Sequence, residues 1–580
     1  MEKFLETDIL VVGGGVAGCF AAIEAKKCNL DVTIIDKAYA GRSGSSVMAS
    51  GWWGFFDPKF EDRIGECLTG INVGSEYINN RRWTEIILRE SFLTFQDILS
   101  WGAELPVKLD EAYQWWAKNI ECARMRVGRV RRQRSPFFIM VPLRHRRTSP
   151  FLRRQAENVG VRIVDRVMVV DLLRNSGKVV GALGFSVDTG DLYVIKAKAT
   201  ILAGGWTTFK LAAGYHNLAL TGDAEAMAYR AGAEITGKEF QETGHFNLLY
   251  YPAWKSNAEL YPAYFYMTDA EGRPVDRRYG PNSFVFFIHA GRGPIFWDFD
   301  AATAEEIEAM QKYIWKRGNP IEVERIGLDP SKGGKYQIFG GCAAGSSLPQ
   351  SSGIWITNEK CATSLEGLYA AGDSCATYCW GALSQLYVPP AGLTPAAVTG
   401  RRAGAGAAEY ALSTGEPELD MDQLKVLKET VFAPLQRKGG FHPRWVTQLL
   451  QNIMVPYYIL YVKHERRLQA ALTLVEFLRD HLVPKLYAKD PHELRLAHET
   501  KNMVLNAEMI LKASLFRTES RGLHYREDHP QRRDPEWLAW TKLKEENGKM
   551  KVWKQPIPKE WWPDLTKPQE ERYPFTFPKF

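Results

Sequence analysis

Hydrophobic positions near the N-terminus follow first a strand pattern and then a helix pattern. Residues 9–12 form a short apolar run, an amphipathic segment follows, and a second apolar run ends at Asp36. The two runs predict buried strands, and the segment between them has helical spacing. Gly13, Gly15 and Gly18 lie where the first strand meets the helix. The order strand, glycine turn, helix and strand predicts a βαβ unit.

The glycines of this unit have the spacing of a dinucleotide fingerprint. Gly13 permits a tight turn, Gly15 lets backbone N–H groups approach a pyrophosphate, and Gly18 lets the helix pack closely on the strand. The helix N-terminus then faces the anion, and Asp36 can accept hydrogen bonds from a ribose. We therefore predict a dinucleotide site; the alternative is a glycine-rich turn with only a structural role.

Apolar residues also recur at helical spacing late in the chain. From Met421 onward the pattern is helical, and a further helix is predicted around residues 493–516. One apolar stripe consists of Leu468, Leu472, Val475, Leu478 and Leu482. We predict that this stripe is hydrophobic core without a catalytic role.

The last segment, residues 552–580, alternates proline with aromatic residues. Proline at this density is incompatible with a helix or a central strand, because it lacks a backbone N–H and fixes φ. We therefore expect an extended arm. Since many exposed aromatic side chains are costly in a free tail, the arm is expected to pack on its own chain or on a partner.

The composition is that of a large globular protein. The chain has 580 residues, of which 45% are hydrophobic and 24% charged, so we expect about two to four compact units. No apolar run reaches the length of a membrane span, and the first strand begins too early for a targeting segment, so we expect a cytoplasmic protein. The eight cysteines show no CxxC pair or cluster spacing, so we predict no metal site in this chain.

Positive charge is concentrated in one tract. Eleven arginines occur between Glu121 and Glu157 with no acid among them, although the formal net charge is only +7. They are Arg124, Arg126, Arg129, Arg131, Arg132, Arg134, Arg144, Arg146, Arg147, Arg153 and Arg154. Because no nucleic-acid module is recognisable, we do not predict nucleic-acid binding. An anionic substrate, an acidic partner, neutralisation of a pyrophosphate, pairing within the chain and a solvated face are the alternatives.

Further motifs follow the fingerprint in order along the chain. They are Gly41-Arg42-Ser43-Gly44-Ser45-Ser46 with Gly51, Ala203-Gly204-Gly205, Thr221-Gly222-Asp223, Gly291-Arg292-Gly293, Gly372-Asp373 and the segment ESRGLHYRED at 519–528. With these motifs, from Asp8 to about Trp540, the chain resembles the flavoprotein family of succinate dehydrogenase, fumarate reductase, L-aspartate oxidase and the adenylylsulfate reductase alpha subunit. Within the family, the adenylylsulfate reductase branch is the favoured relative.

The resemblance implies an α/β fold. An FAD-binding Rossmann-type domain would carry an inserted α+β capping domain and be followed by a C-terminal helical domain and an extended tail. The predicted boundaries are 1–245 and 338–412 for the FAD-binding domain, 246–337 for the cap, 421–520 for the helical domain and 521–580 for the tail. Ligands in such folds lie in the cleft between domains.

The resemblance also implies that the dinucleotide is FAD. The FAD-binding residues that we predict are Gly13, Gly15, Val16, Ala17, Gly18, Asp36, Lys37, Arg42, Ser43, Gly44, Gly51, Ala203, Gly204, Asp223, Gly372, Asp373 and Leu393. Succinate dehydrogenases attach FAD covalently through a histidine in the segment that here reads Arg42-Ser43-Gly44-Ser45. Because no histidine is present, we expect non-covalent FAD.

The substrate residues depart from the dicarboxylate branch. Counting from neighbouring glycines places Tyr336 where that branch has a histidine, and Tyr387 where it has a carboxylate-binding arginine. Loss of a bidentate arginine removes the fork that matches a carboxylate, so we do not expect succinate or fumarate as the substrate.

Other residues are candidates for proton transfer or substrate binding. Arg277 is the counterpart of the proton-transfer arginine of that branch; the alternative is a solvated arginine in a turn. His245, His289 and Arg292 lie near family motifs. A histidine close to a flavin can donate a proton or can be structural.

These features predict an FAD-dependent oxidoreductase. It would exchange hydride or electrons between a bound, anionic small molecule and a partner electron carrier such as an iron–sulfur subunit. We expect the partner to dock on the arginine tract and the C-terminal arm. Two alternatives are adenylylsulfate-reductase-like chemistry between flavin and sulfite, and an electron-relay subunit without a substrate of its own.

Overall fold

The computed structural model describes residues 1–48, 52–105, 108–111, 113–114, 138–143, 148–210, 219–242, 247–248, 267–275, 277–300, 303–304, 307, 332–339, 346–347, 350–383, 393–573 and 575–580. Three of the predicted site residues, Gly51, His245 and Tyr387, lie outside these ranges. Nine of the eleven arginines in the tract lie outside them as well.

The N-terminal βαβ unit forms as predicted. The strand Glu2–Val12 runs parallel to the strand Val32–Asp36, and the helix Val16–Lys26 connects them. The second strand is buried along its whole length, as is typical of a parallel sheet covered on both faces.

This unit belongs to a seven-stranded sheet. Its other strands are Arg162–Asp165, Val167–Asn175, Lys178–Ser186, Leu192–Leu202 and Leu368–Ala370. Leu192–Leu202 pairs in parallel with the first strand, and near its carboxyl end it also pairs with Leu368–Ala370. The late strand therefore returns the chain to the sheet of the N-terminal unit.

A five-stranded sheet joins segments that are far apart in sequence. Its strands, in spatial order, are Cys375–Ala376, Gly353–Trp355, Ile235–Thr236, Ala539–Glu546 and Lys549–Pro556. The last two form an antiparallel hairpin, and Lys549–Pro556 is an edge strand. An edge position tolerates the proline that ends this strand.

The segment predicted as a cap contains short strands and helical turns. Its four-stranded sheet has the order Asn247–Leu248, Lys335–Phe339, Phe296–Asp298 and Met267–Thr268. The helical turns are Arg277–Asn282, Ser283–Phe287 and Ile288–Arg292. The remaining strand pairs are Trp52–Phe56 with Phe138–Pro142, Gln241–Glu242 with Ser346–Ser347, and Val462–Lys463 with Tyr525–Arg526.

Helices cover both the large sheet and the C-terminal half. Among the described residues up to 413, the α-helices besides Val16–Lys26 and Ser283–Phe287 are Ser45–Met48, Ile64–Gly74, Arg81–Ser100, Thr148–Asn158, Asp223–Arg230 and Thr394–Ser413. The later ones are Met421–Gln436, Pro443–Met454, Tyr457–Leu460, Glu465–Phe477, Pro491–Phe516 and Gln569–Arg572. Within these described elements, none is long and apolar enough to cross a membrane.

The predicted apolar stripe lies in the core of the helical region. Leu468, Val475, Leu478 and Leu482 are buried, and Leu472 packs partly buried beside them. The predicted helix around 493–516 is Pro491–Phe516, which starts where the Asp490 side chain accepts a hydrogen bond from the Glu493 N–H. Both predictions from helical periodicity are confirmed.

The C-terminal arm packs on its own chain. Tyr573 and Phe575 are 5% and 4% exposed. The ring of Phe577 stacks on Tyr525 at 5.6 Å, and the Tyr525 hydroxyl donates to the Pro578 carbonyl. We expected the arm to pack either on its own chain or on a partner, and these residues pack on their own chain.

The fold class is the predicted one: an α/β sheet core, an inserted α+β segment and a helical region near the C-terminus. The domain boundaries derived from the sequence stay a prediction. Of the arginine tract, Arg153 binds within the chain, to Glu157 and Asp165, and Arg154 is exposed.

Candidate cofactor site

A cleft opens beside the N-terminal glycine turn. The predicted residues in its wall are Gly13, Gly15, Val16, Ala17, Asp36, Lys37, Ser43, Gly44, Ala203, Gly204, Asp223, Gly372 and Asp373. Segments separated by up to about 360 residues in sequence thus meet at one site.

The glycine turn is shaped by close backbone contacts. Gly13 has φ +106°, and a Cβ there would overlap the Ala203 carbonyl. A Cβ on Gly18 would overlap the Gly13 carbonyl, so Gly18 acts behind the cleft in helix–strand packing. A Cβ on Gly15 would approach only the Ser46 hydroxyl, at 3.0 Å. The three positions therefore have different roles, and Gly15 is the one that keeps space open on the cleft side.

The N-terminus of the helix Val16–Lys26 is suited to an anion. No acidic residue lies in its first turn, and Gly15 supplies no side-chain cap. The Val16 N–H donates to the Ser46 hydroxyl at 3.0 Å, so the short helix Ser45–Met48 contacts the turn. A helix N-terminus attracts negative charge through its free N–H groups and its dipole.

Asp36 organises the turn and is almost completely buried. Its carboxylate accepts hydrogen bonds from the N–H groups of Gly14 and Ala38, at 2.8 and 2.7 Å, and from the Ser43 hydroxyl at 3.2 Å. From the sequence we expected Asp36 only to bind a ribose. In the structure the same carboxylate also fixes the glycine turn through its hydrogen bonds.

Lys37 is held by three acceptors. Its ammonium donates to the Thr221 hydroxyl at 2.9 Å, to Asp223 at 2.7 Å and to Glu499 at 2.9 Å. Burial alone lowers the pKa of Lys37, but the carboxylates of Asp223 and Glu499 raise it above its ordinary value. Lys37 is therefore a fixed cation in the cleft wall.

Asp373 is far from the glycine turn in the sequence but lies in the same cleft wall. Burial raises the pKa of Asp373 to about 6, against a weak opposing hydrogen bond from Gln350 at 3.5 Å. With Gln350 as its hydrogen-bond partner among the described residues, this carboxyl is available to hydroxyl groups of a ligand.

Some predicted cofactor residues are not in the cleft wall. Arg42 is exposed, and Leu393 is buried at the start of the helix Thr394–Ser413. Wall residues that the sequence reasoning missed are Val12, Gly14, Ile35, Ala38, Ser45, Ser46, Val167, Met168, Val169, Gly205, Ala219, Leu220, Ala224, Met227 and Ala396. Ser45, Ser46 and Gly205 belong to motifs already noted, so they could have been found; the aliphatic members carry no distinguishing local signal.

The described catalytic candidates, Arg277, Arg292 and Tyr336, lie in the cap segment. Arg277 begins the turn Arg277–Asn282. Arg292 binds the buried carboxylate of Asp269 at 2.6 Å and lies over the Phe287 ring at 4.2 Å. Tyr336 is half-buried in a strand and packs edge-to-face on Phe299 at 5.5 Å. Their catalytic roles stay predictions.

His289 is held by other residues of its own chain. Its ring lies 3.4 Å from Glu527 and packs edge-to-face against Tyr457 and Phe580. These contacts favour a structural role for His289 over a role in substrate binding.

The cleft fits FAD. Its wall has a side-chain-free turn at a helix N-terminus, which suits a diphosphate, and the carboxylates of Asp36 and Asp373, which can accept hydrogen bonds from ligand hydroxyl groups. The fold and this wall define a Rossmann-type dinucleotide-binding protein.

Comparison with known proteins gives the family. Residues 8–257 match the FAD binding domain family, and residues 447–573 match the fumarate reductase flavoprotein C-terminal family. The chain belongs to the flavoprotein superfamily of succinate dehydrogenase and fumarate reductase, and it is an FAD-dependent oxidoreductase of that superfamily.

Two relatives are similar over nearly their full length. The chain is 26% identical to one subunit of the fumarate reductase (CoM/CoB) of Methanothermobacter marburgensis, with 92% of this chain and 96% of the relative covered. It is 25% identical to the fumarate reductase flavoprotein subunit of Mycobacterium tuberculosis, with 96% and 98% covered.

Solved structures share the fold. The FrdA chain of E. coli quinol fumarate reductase superposes with a TM-score of 0.80 at 18% identity, with 96% of this chain and 97% of that chain covered. The adenylylsulfate reductase of Archaeoglobus fulgidus superposes with a TM-score of 0.76 at 23% identity and the same coverage.

Proposed function

We propose that the protein is the flavoprotein component of an electron-transfer system. It exchanges hydride or electrons between a small anionic substrate, bound between the FAD cleft and the cap, and a partner electron carrier. The substrate is neither succinate nor fumarate. FAD is bound without a covalent bond, because Gly44 stands where the covalent branch has a histidine, and Gly44 lies in the cleft wall.

The environment of Tyr336 carries the argument on the substrate. This residue aligns with the histidine of the dicarboxylate branch, and its ring is packed on Phe299 in the cap sheet. A phenol at this place offers no positive charge to a carboxylate, whereas a histidine can. A four-carbon dicarboxylate would therefore lose one of its charged contacts.

FAD, when bound, supplies the hydride or electron exchange itself. The chain would position it: the glycine turn and the helix N-terminus would hold the diphosphate, and Asp373 and Asp36 would accept hydrogen bonds from hydroxyl groups. Arg277 is the proposed proton donor or acceptor for the substrate. Arg292, fixed on Asp269, orients the end of the same cap segment.

A partner electron carrier is supported by the relatives of the chain. The two relatives compared above are themselves named as subunits. We propose that an iron–sulfur subunit or a similar electron-transfer protein carries the electrons.

The test is anaerobic reduction and reoxidation of the purified flavoprotein against a panel of enoates, dicarboxylates, adenylylsulfate and sulfite. We expect negligible turnover with succinate and fumarate, and reoxidation by another anionic compound. Turnover of succinate or fumarate at rates usual for enzymes, about 1 to 1000 per second, would overturn the substrate assignment. Reaction with adenylylsulfate or sulfite alone would select that branch, and no reaction with any compound would select an electron relay.

The mode of FAD attachment is tested separately. Acid or heat denaturation should release all the flavin into the supernatant. Yellow colour that remains with the precipitated polypeptide would contradict non-covalent binding.

A further inference from the structure

A polar stripe of the helix Pro491–Phe516 faces the cofactor cleft. Glu499, Asn502 and Asn506 are spaced three and four residues apart, so they lie on one side of the helix. All three are buried. Buried polar side chains need partners, and these three bind Lys37, Gly222 and Asp223, of which Lys37 and Asp223 lie in the cleft wall.

The two asparagines are fitted to the turn that contains Gly222 and Asp223. The Asn502 amide donates to Asp223 at 2.8 Å, and the Asn506 amide donates to the Gly222 carbonyl at 3.1 Å. Gly222 has φ +66°, and a Cβ there would overlap the Asn506 amide. The glycine of this family motif is therefore required by the late helix as well as by the turn.

Glu499 is the centre of a cluster of buried charges. Its carboxylate, which has no solvent exposure, accepts from Lys37 and Arg495, each at 2.9 Å, and pairs with Lys210. Burial alone raises the pKa of Glu499, but these three cations lower it to about 2. The carboxylate is thus charged at neutral pH, and it compensates the lysines beside the cleft.

Lys37 has no N–H left for a phosphate. An ammonium group has three donors, and here they bind Thr221, Asp223 and Glu499. Lys37 therefore connects the βαβ unit with the turn before the helix Asp223–Arg230 and with the late helix. Two members of this connection, Lys37 and Asp223, are wall residues of the cleft.

We propose that Glu499 is a positioning residue for FAD. Acting through Lys37, it holds the Asp223 side of the cleft wall in its binding conformation. FAD binding and docking of the late helix are consequently linked, so that each strengthens the other. The proposal rests on FAD as the cofactor of this cleft and is independent of the substrate proposed above.

The direct test compares two buried glutamates of the same helix. Glu499→Gln removes the charge at Lys37. Glu508→Gln is the matched control, because Glu508 is also buried but binds Arg479 and Lys512, neither of which is in the cleft wall. FAD dissociation is measured by flavin fluorescence on dilution of each holoprotein. We expect the dissociation constant to rise at least about tenfold for Glu499→Gln and less than about threefold for Glu508→Gln.

A second variant separates positioning from general damage. Glu499→Asp keeps the charge and should recover most of the FAD affinity, whereas a residue that merely fills space would show no such rescue. If Glu499→Gln and Glu508→Gln weaken FAD binding equally, or if Glu499→Asp is no better than Glu499→Gln, the proposal is wrong.

The unmodified protein provides a measurement that does not depend on any variant folding. Hydrogen exchange is compared between FAD-saturated and FAD-depleted protein. We expect FAD to slow amide exchange in peptides from 491–516 and to leave the helix Met421–Gln436 unchanged. Identical exchange of 491–516 in both states would overturn the linkage. Because no turnover is measured, this result is independent of the substrate test.

Discussion

The ring of Phe575 lies directly against Gly280, so that a Cβ on the glycine would come within 3.1 Å of the ring. The next residue, Thr576, donates its backbone N–H to the Arg278 carbonyl at 2.9 Å. The last residues of the chain therefore hold the cap turn that begins at Arg277. The arm that we predicted from its proline and aromatic residues therefore packs on the cap. Part of the surface that we expected to bind a partner is buried by the chain itself.

Phe575→Ala should loosen the cap without removing FAD. Truncating a buried phenylalanine typically costs about 3 to 5 kcal/mol, and the ring contact that is lost lies on the cap turn at Gly280. We expect faster amide exchange across residues 277–292 with unchanged flavin content. Leu565→Ala, in the same arm but 39% exposed, is the control and should change neither quantity.

Gly15→Val should yield folded protein without FAD. Gly15 has φ −75° and ψ −165°, which valine adopts readily, and the added atoms point towards the cleft side near Ser46. Flavin content should fall at least about tenfold while the circular dichroism of the FAD-free form is unchanged. Gly18→Val, which must displace the Gly13 carbonyl, should instead prevent folding. Normal flavin content in Gly15→Val would contradict the predicted role of Gly15.

The protonation of Asp373 should be visible in the stability of FAD-free protein. Its pKa is raised in the fold to about 6 from an ordinary value near 3.8. Because the charged form is disfavoured in the folded state, the contribution of Asp373 is most favourable below about pH 4 and is lost as the pH rises through 6. Asp373→Asn removes this loss, which is about 3 kcal/mol at pH 7.5.

Chemical unfolding of both proteins at two pH values checks this prediction. The unfolding free energy of Asp373→Asn should exceed that of the unmodified protein at pH 7.5, and the difference should vanish near pH 4. A difference that is the same at both pH values would mean that Asp373 does not titrate as described.

The helical stripe allows a stability test within one helix. Leu468 is buried and Leu474 is 51% exposed, and both belong to Glu465–Phe477. Leu468→Ala should lower the free energy of unfolding by about 2 to 5 kcal/mol, whereas Leu474→Ala should change it by less than about 0.5 kcal/mol. Denaturant unfolding of the two variants measures both values; equal losses would show that the helix packs through a different face.

The sequence by itself determined the features whose signals are local. The apolar runs, the glycine spacing and Asp36 predicted the βαβ unit and its dinucleotide site. The 3.6-residue period predicted the helices after Met421 and their buried stripe. These predictions succeed because strand and helix periodicity and the backbone freedom of glycine act over a few residues.

Only the tertiary structure decided which distant residues complete the site. Glu499 lies 462 positions after Lys37, and nothing in the helical pattern around it marks it as part of a cofactor site. The same holds for the arm, whose aromatic residues could have packed on a partner but instead meet Gly280 and Tyr525. Such contacts depend on burying charge and apolar surface between segments that the fold brings together, and no local period encodes which segments these are.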